Sequence, residues 1–140
     1  MKNKIYTSVY ALIKDDSGNY LFIKRSEDDS MPGVWEVPGG KMDYGEDPKD
    51  SLKREVMEEV GLSVEVLNPF CVISHVSPKK QAVRIVYKAN LKEIGDIRLS
   101  KEHSAFKWSD FSDPEVSGSV FLQKVFKSLK RKTEKRLRNK

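Results

Sequence analysis

Cysteine is almost absent from this 140-residue chain, with Cys71 standing alone. A single cysteine excludes an intrachain disulfide and a multi-cysteine zinc site, and it predicts a reducing, cytoplasmic setting. Cys71 lies in an apolar strand pattern and reads as a core thiol. Long apolar runs are missing too. Nothing approaches the roughly 18–20 apolar residues that a membrane span needs, so no membrane insertion is expected. The opening MKNKIYTSVYALIKDDSGNY has neither the uninterrupted apolar stretch nor the small-residue cleavage site of a secretory leader. Repeats and linkers are also absent. What is present is enough apolar material, 38% of residues, to build one core. The length suits one domain, expected over residues 1–132, followed by a basic tail at residues 133–140.

Acidic residues are scarce at the C-terminal end. Residues 124–140 hold nine Lys or Arg against one Glu, a net of +8, while the whole chain carries +5. Residues 1–123 are therefore at −3. A solvated helical end accounts for such a charge run, and weak contact with nucleic acid is the functional alternative. No aromatic residue follows Phe126, which argues against base stacking there.

Residues 4–13 and 20–25 are β-prone and flank the turn signal DDSGN. VWEV at 34–37 reads as a short strand ended by Pro38. Residues 40–47 look too polar and glycine-broken for regular structure. Asp47-Pro48 caps a helix expected to run from Pro48 to about Val60, with Gly61 as its stop. Strands are expected at 63–74, interrupted by Asn68-Pro69, and at 82–91 and 104–108. Asp113-Pro114 predicts the start of a last helix reaching about residue 132, with Phe121, Leu122, Val125, Phe126 and Leu129 inward. Trp35 is expected under the first helix and Trp108 against the last. Strands and helices in this order predict an α/β fold with a mixed sheet.

The chemistry concentrates in GKMDYGEDPKDSLKREVMEEVGL, Gly40 to Leu62. Glu55, Glu58 and Glu59 stand at i, i+3 and i+4, on one arc of the helix beside the apolar arc of Leu52, Val56, Met57 and Val60, which is expected to bury against the sheet. Two carboxylates about 5 Å apart repel by roughly 3 kcal/mol at an effective dielectric near 20. A divalent cation turns that repulsion into attraction. Oxygen-only ligands favour Mg²⁺ or Mn²⁺, and magnesium sites usually include substrate phosphates, so a polyphosphate substrate is expected. Gly39-Gly40 lets backbone approach a ligand closely. Lys41 can meet a phosphate as a point charge. A Glu46–Arg54 pair can clamp the loop to the helix. Tyr44 is placed to stack on substrate, and Arg25, Tyr6 and Phe70 are candidates for contacts to a base.

The pattern reads G, five residues, E, seven residues, then R-E-apolar-x-E-E-x-G-apolar. A chance match in a chain of this length is rarer than about one in a million. At every defining position it resembles the signature of the Nudix hydrolases, the MutT-like nucleotide pyrophosphohydrolases, and the likeness extends upstream through VWEVPGGK. The resemblance implies an α/β/α sandwich with helices on both faces of a mixed sheet. It implies hydrolysis of a nucleoside diphosphate linked to another group, assisted by Mg²⁺ or Mn²⁺. Glu55, Glu58 and Glu59 become the metal-binding glutamates, joined by the Gly39 carbonyl. Either Glu55 or Glu102, the latter in SKEHSAFKW, becomes the general base. Lys41 and the short length favour a nucleoside triphosphate. ADP-ribose or another nucleotide sugar is the alternative substrate, for which Pro78 is a weak marker. A fold that binds nucleotide or RNA without turnover is the alternative of another class. Monomer and homodimer are both compatible with the sequence.

Overall fold

The computed structural model describes residues 2–93 and 95–139. Its elements are β1 (Lys4–Lys14), β2 (Tyr20–Arg25), β3 (Trp35–Glu36), β4 (Gly39–Lys41), α1 (Pro48–Val60), β5 (Val64–Ser77), β6 (Lys80–Leu91), β7 (His103–Ser109) and α2 (Val120–Arg138). Among the described residues the strands form one sheet, ordered β3-β2-β1-β6-β5, with β4 also on β1 and β7 also on β2. The β1–β6 ladder is parallel and the other pairings are antiparallel, so the sheet is mixed as expected.

The hairpin at the start is tight only at its tip. Asp15 Oδ1 accepts from the backbone N–H of Ser17 and Asn19, closing the turn. Beyond it β1 and β2 pair only at Lys14 and Tyr20 and then diverge. Residues 34–42 fill the gap. Trp35 and Glu36 pair with β2, and Gly39 to Lys41 pair with Tyr10 to Ser8 of β1. This wedge brings the backbone of Gly39 and Gly40 beneath α1.

Strand alternation then sorts the apolar side chains onto two faces. Val9, Ala11, Ile13, Leu21 and Ile23 face Leu52, Val56 and Val60 of α1. Leu12, Phe22, Phe70, Ile73 and Val86 face Leu122 and Val125 of α2, with Phe111 and Val116. Each fully buried Val or Leu contributes about 1.5–3 kcal/mol, so both helices are held chiefly by these faces. The three layers are the expected sandwich. None of the described helices is long and apolar enough to cross a membrane.

α1 has the expected bounds, but Met57, expected on its buried arc, is exposed, while Leu52, Val56 and Val60 are buried. Asp47 accepts from the Lys49 N–H, and Gly61, at φ 72°, donates to the Met57 carbonyl. Several expectations fail. Gly39–Lys41 is a strand rather than irregular chain, because a glycine permits the contact: a Cβ at Gly39 would lie 2.2 Å from the Val9 carbonyl oxygen. α2 starts at Val120, capped by Ser119, rather than at Pro114. Asp113 instead closes a turn, accepting from the Glu115 N–H and the Ser109 hydroxyl. The helix continues to Arg138, so residues 133–138 are helical turns rather than a separate tail. β5 passes through Asn68-Pro69 by shifting register against β6. Trp35 packs on the α2 face and Trp108 on the α1 face, the reverse of expectation. Pro78 lies in the turn between β5 and β6.

Candidate active site

Arg54 is the hub of the loop–helix junction. Its Nε donates to Glu46 Oε2 at 2.8 Å and its Nη2 to Glu46 Oε1 at 2.9 Å, a two-bond fork. Its Nη1 reaches Glu55 at 3.2 Å and Glu58 at 3.3 Å, and Asp43 stands 3.3 Å from Nη2. Glu46 also accepts from the Asp43 N–H. These bonds, Arg54 first, pull the Glu46 carboxyl down to about 2 and hold the Arg54 guanidinium above its ordinary value. The expected clamp is therefore present, and it aligns two of the three helical carboxylates.

Glu55 lies against Gly40. A Cβ there would stand 2.7 Å from the Glu55 carboxyl carbon, so the missing side chain is the space that the carboxylate occupies. Burial raises the Glu55 carboxyl, Arg54 lowers it, and Glu58 and Glu102 raise it further. Glu59 is the inner member of the trio, at 6% exposure, and its Oε1 accepts from the Gly39 N–H at 2.8 Å. Burial, reinforced by Glu36, Glu55 and Glu102, pushes it up to about 9 against the opposing Gly39 bond. Glu58 is the outer member and exposed.

Glu102 arrives from outside the helix. The Ser100 N–H donates to the Glu59 carbonyl, and the Ser26 N–H donates to the Glu102 carbonyl. One carboxylate oxygen each of Glu59 and Glu102 and one ring nitrogen of His103 lie within 4.8 Å of one another. Converging carboxylates, one of them buried, beside an imidazole are a donor set that could hold a divalent cation.

A cavity of about 530 Å³ opens where β1 and β6 face the start of α2, lined by Tyr10, Arg25, Trp35, Arg84, Phe121 and Lys124 among others. Tyr10 and Phe121 sit 4.8 Å apart, and the Arg84 guanidinium lies 5.0 Å from the Phe121 ring. Burial pushes the Tyr10 hydroxyl up to about 12. Arg25 lines this wall, held by Asp29 at 2.8 Å and Glu36 at 3.2 Å. Lys41 lies on β4 with its ammonium 4.4 Å from the centre of the Tyr6 ring. Tyr44 is fully exposed on the loop. Phe70 is not a base contact: it is buried against α2, under Lys88 and Lys132.

Sequence reasoning missed Glu36, Tyr10 and Arg84. In VWEV, alternation separates Glu36 from Trp35 and Val37, and only the pairing of β3 with β2 sets it on the side of the helical glutamates.

Paired glycines packed under an arginine-clamped acidic helix, with an aromatic-walled cavity beside them, suit a protein of the nucleotide-phosphate-handling class. The chain belongs to the Nudix family: residues 4–129 match the NUDIX domain. It is 32% identical over 102 residues to a MutT-like protein of Streptomyces ambofaciens, spanning 72% of this chain and 61% of that one. It is 31% identical over 117 residues to the nucleoside triphosphatase NudI of Escherichia fergusonii, spanning 73% of this chain and 79% of the relative. Among solved structures, the MutT protein of Methanosarcina mazei Go1 superposes with a TM-score of 0.72 at 30% identity, covering 80% of this chain and 81% of that one.

Proposed function

We propose that this chain is a Mg²⁺- or Mn²⁺-dependent pyrophosphohydrolase whose substrate is a nucleoside triphosphate, cleaved to a nucleoside monophosphate and pyrophosphate. The observation that carries the reading is the convergence of Glu55, Glu59 and Glu102 at the mouth of the clamped loop. The likeness to the nucleoside triphosphatase NudI supports the substrate class. Pro78 caps a hairpin, so the ADP-ribose reading draws no support from it.

The bound cation supplies charge neutralisation on the phosphates and a lower pKa for the attacking water. Glu59, Glu102 and the Gly39 carbonyl hold it, with Glu58 on the outer side. Glu55 takes the proton from water. Its half-buried carboxyl is raised towards the range a base needs, while Glu102 stands at ligand spacing to Glu59. Arg54 and Glu46 are positioning residues that fix Glu55 and Glu58. Lys41 meets the terminal phosphates, Arg25 reaches the nucleotide in the cavity, and Tyr44 stacks from the rim. The setting is the cytoplasm, and α2 makes weak, secondary contact with nucleic acid.

The test is a panel of nucleoside triphosphates and nucleotide sugars assayed with Mg²⁺ and Mn²⁺, with products identified. Glu55→Gln is expected to lower kcat by about 10²–10⁴-fold with Mn²⁺ affinity little changed. Glu102→Gln is expected to weaken Mn²⁺ binding. The opposite assignment of these two effects would exchange their roles. Absence of turnover on the whole panel would leave a binding module.

A further inference from the structure

His103 lies at the start of β7 with 6% exposure, and its two ring nitrogens are in unequal positions. Nε2 is 2.8 Å from Glu36 Oε1. Glu36 Oε2 accepts from the Arg25 Nε–H at 3.2 Å, so this carboxylate serves as the acceptor in the cluster. Nε2 is therefore the donor, and in the neutral ring Nδ1 is left as a bare lone pair. Nδ1 is buried and has no hydrogen-bond partner among the described residues. An unmet buried polar atom costs about 1–3 kcal/mol, which a purely structural histidine on this strand would not need to bear. A ring nitrogen of the same residue lies within 4.8 Å of the carboxylate oxygens of Glu59 and Glu102. Ligands on opposite sides of one ion, each at about 2.0–2.3 Å, stand roughly 4–4.6 Å apart, so only a small closure separates this cluster from a coordination shell.

We infer that His103 donates Nδ1 to the cation held by Glu59 and Glu102, giving a mixed nitrogen–oxygen site that selects Mn²⁺ or Co²⁺ over Mg²⁺. The inference rests on the metal-dependent reading above and adds the identity of the ion. Glu36 supports the imidazole by accepting its other N–H, the arrangement that fixes the tautomer of metal-bound histidines and raises their basicity. Imidazole suits transition metals, whereas Mg²⁺ prefers oxygen and keeps its waters. Arg25 joins Glu36 to the cavity wall, so one hydrogen-bonded line runs from the cavity through Glu36 to His103.

The test uses the full chain loaded with Mn²⁺, with ¹⁴N hyperfine coupling read by pulsed electron paramagnetic resonance, and with calorimetric affinities for Mn²⁺, Co²⁺ and Mg²⁺. Imidazole nitrogen coupling and a preference for Co²⁺ over Mg²⁺ of at least about 10-fold are expected. His103→Gln can keep the bond to Glu36 while lacking the second nitrogen. It is expected to abolish the coupling and lose about 10-fold or more in Mn²⁺ and Co²⁺ affinity, with Mg²⁺ affinity within about 3-fold of the parent. A Mn²⁺-loaded parent without nitrogen coupling overturns the imidazole ligand and leaves the carboxylate site standing. A parent that binds none of the three ions overturns the metal reading itself. Because the parent's spectrum decides the question, a His103→Gln chain that fails to fold does not rescue the inference.

Discussion

Glu59 shows how a single side chain carries the cost of function. It is buried, it accepts one backbone bond from Gly39, and Glu36, Glu55 and Glu102 all oppose its charge. Without a cation such a group destabilises the fold. Glu59→Gln keeps the shape and the Gly39 bond and removes the charge. The metal-free variant is expected to be more stable than the parent at pH 7.5 by about 1–3 kcal/mol, a rise in Tm of at least about 4 °C. The Tm increase that millimolar Mn²⁺ gives the parent should disappear. A variant that melts lower than the metal-free parent would show that the carboxylate contributes to stability without an ion. Glu55 and Glu59, with Glu58, were legible from their spacing on one helix. The pairing of Glu36 with His103 was not, because they meet across 67 positions of sequence and no local pattern brings them together.

At the scale of elements, the two adjacent glycines of the loop do different work. A Cβ at Gly39 would meet backbone, 2.7 Å from the Tyr10 Cα, whereas one at Gly40 would first meet the end of the Glu55 side chain. Gly39→Ala is therefore expected to cost several kcal/mol, of the order seen for overpacking against an unyielding neighbour, and to lower Tm sharply. Gly40→Ala is expected to leave Tm within a few degrees, since Glu55 can swing away, but to lower kcat by at least about 10-fold. Thermal melts and steady-state rates on the pair separate the two. The turn before α2 offers a pH test. Asp113 is held down to about 2 by Lys107 first, then by Ser109 and the Glu115 N–H. Its folded value lies below the unfolded one near 3.9, so its contribution is present above about pH 4 and is lost as pH falls through about 2. Asp113→Asn is expected to lower Tm at pH 7, with the gap to the parent closing between pH 4 and 2. The same segment explains a misread boundary. Asp113-Pro114 and Ser119 are both acceptable caps, and residue preference alone does not choose between them. Burial of Phe111 and Val116 under α2 fixes residues 113–117 as a turn and leaves Ser119 to start the helix. By contrast, α1 was readable end to end because Asp47, Pro48 and Gly61 are signals that act locally.

Across the whole molecule, charge is divided. The positive side chains of α2 extend past the sheet, and Lys14, Lys88, Lys132 and Arg136 crowd together at the end of β1 and β6. Burial lowers the Lys88 ammonium, and the other three lower it further. Lys132 also donates to the Phe70 carbonyl, which anchors the helix before its exposed last turns. Deleting residues 133–140 is expected to leave Tm within about 2 °C, because the described part of that segment is exposed. It should weaken binding to a single-stranded RNA at low salt by about 10-fold and flatten the dependence of log K on log salt. Unchanged affinity and slope would remove α2 as a nucleic-acid contact. The orientation of the two tryptophans belongs to this scale too. Alternation shows that Trp35 and Glu36 point to opposite sides, but which side is which depends on the position of β3 beyond β2, a fact of topology rather than of sequence.

The single bridging pair between β1 and β2 leaves the sheet with a seam. On one side lie β2, β3 and β7; on the other lie β1, β4, β6 and β5, and residues 34–42 stitch the two together through the Ala11 N–H to the Pro38 carbonyl and the Met42 N–H to the Thr7 carbonyl. Glu36 belongs to one bank, the Gly39 backbone to the other, and α1 lies along the join. A widening of that seam would carry His103 and Glu102, which move with β2 and β7, away from Glu59 on α1 without breaking the pairing inside either bank.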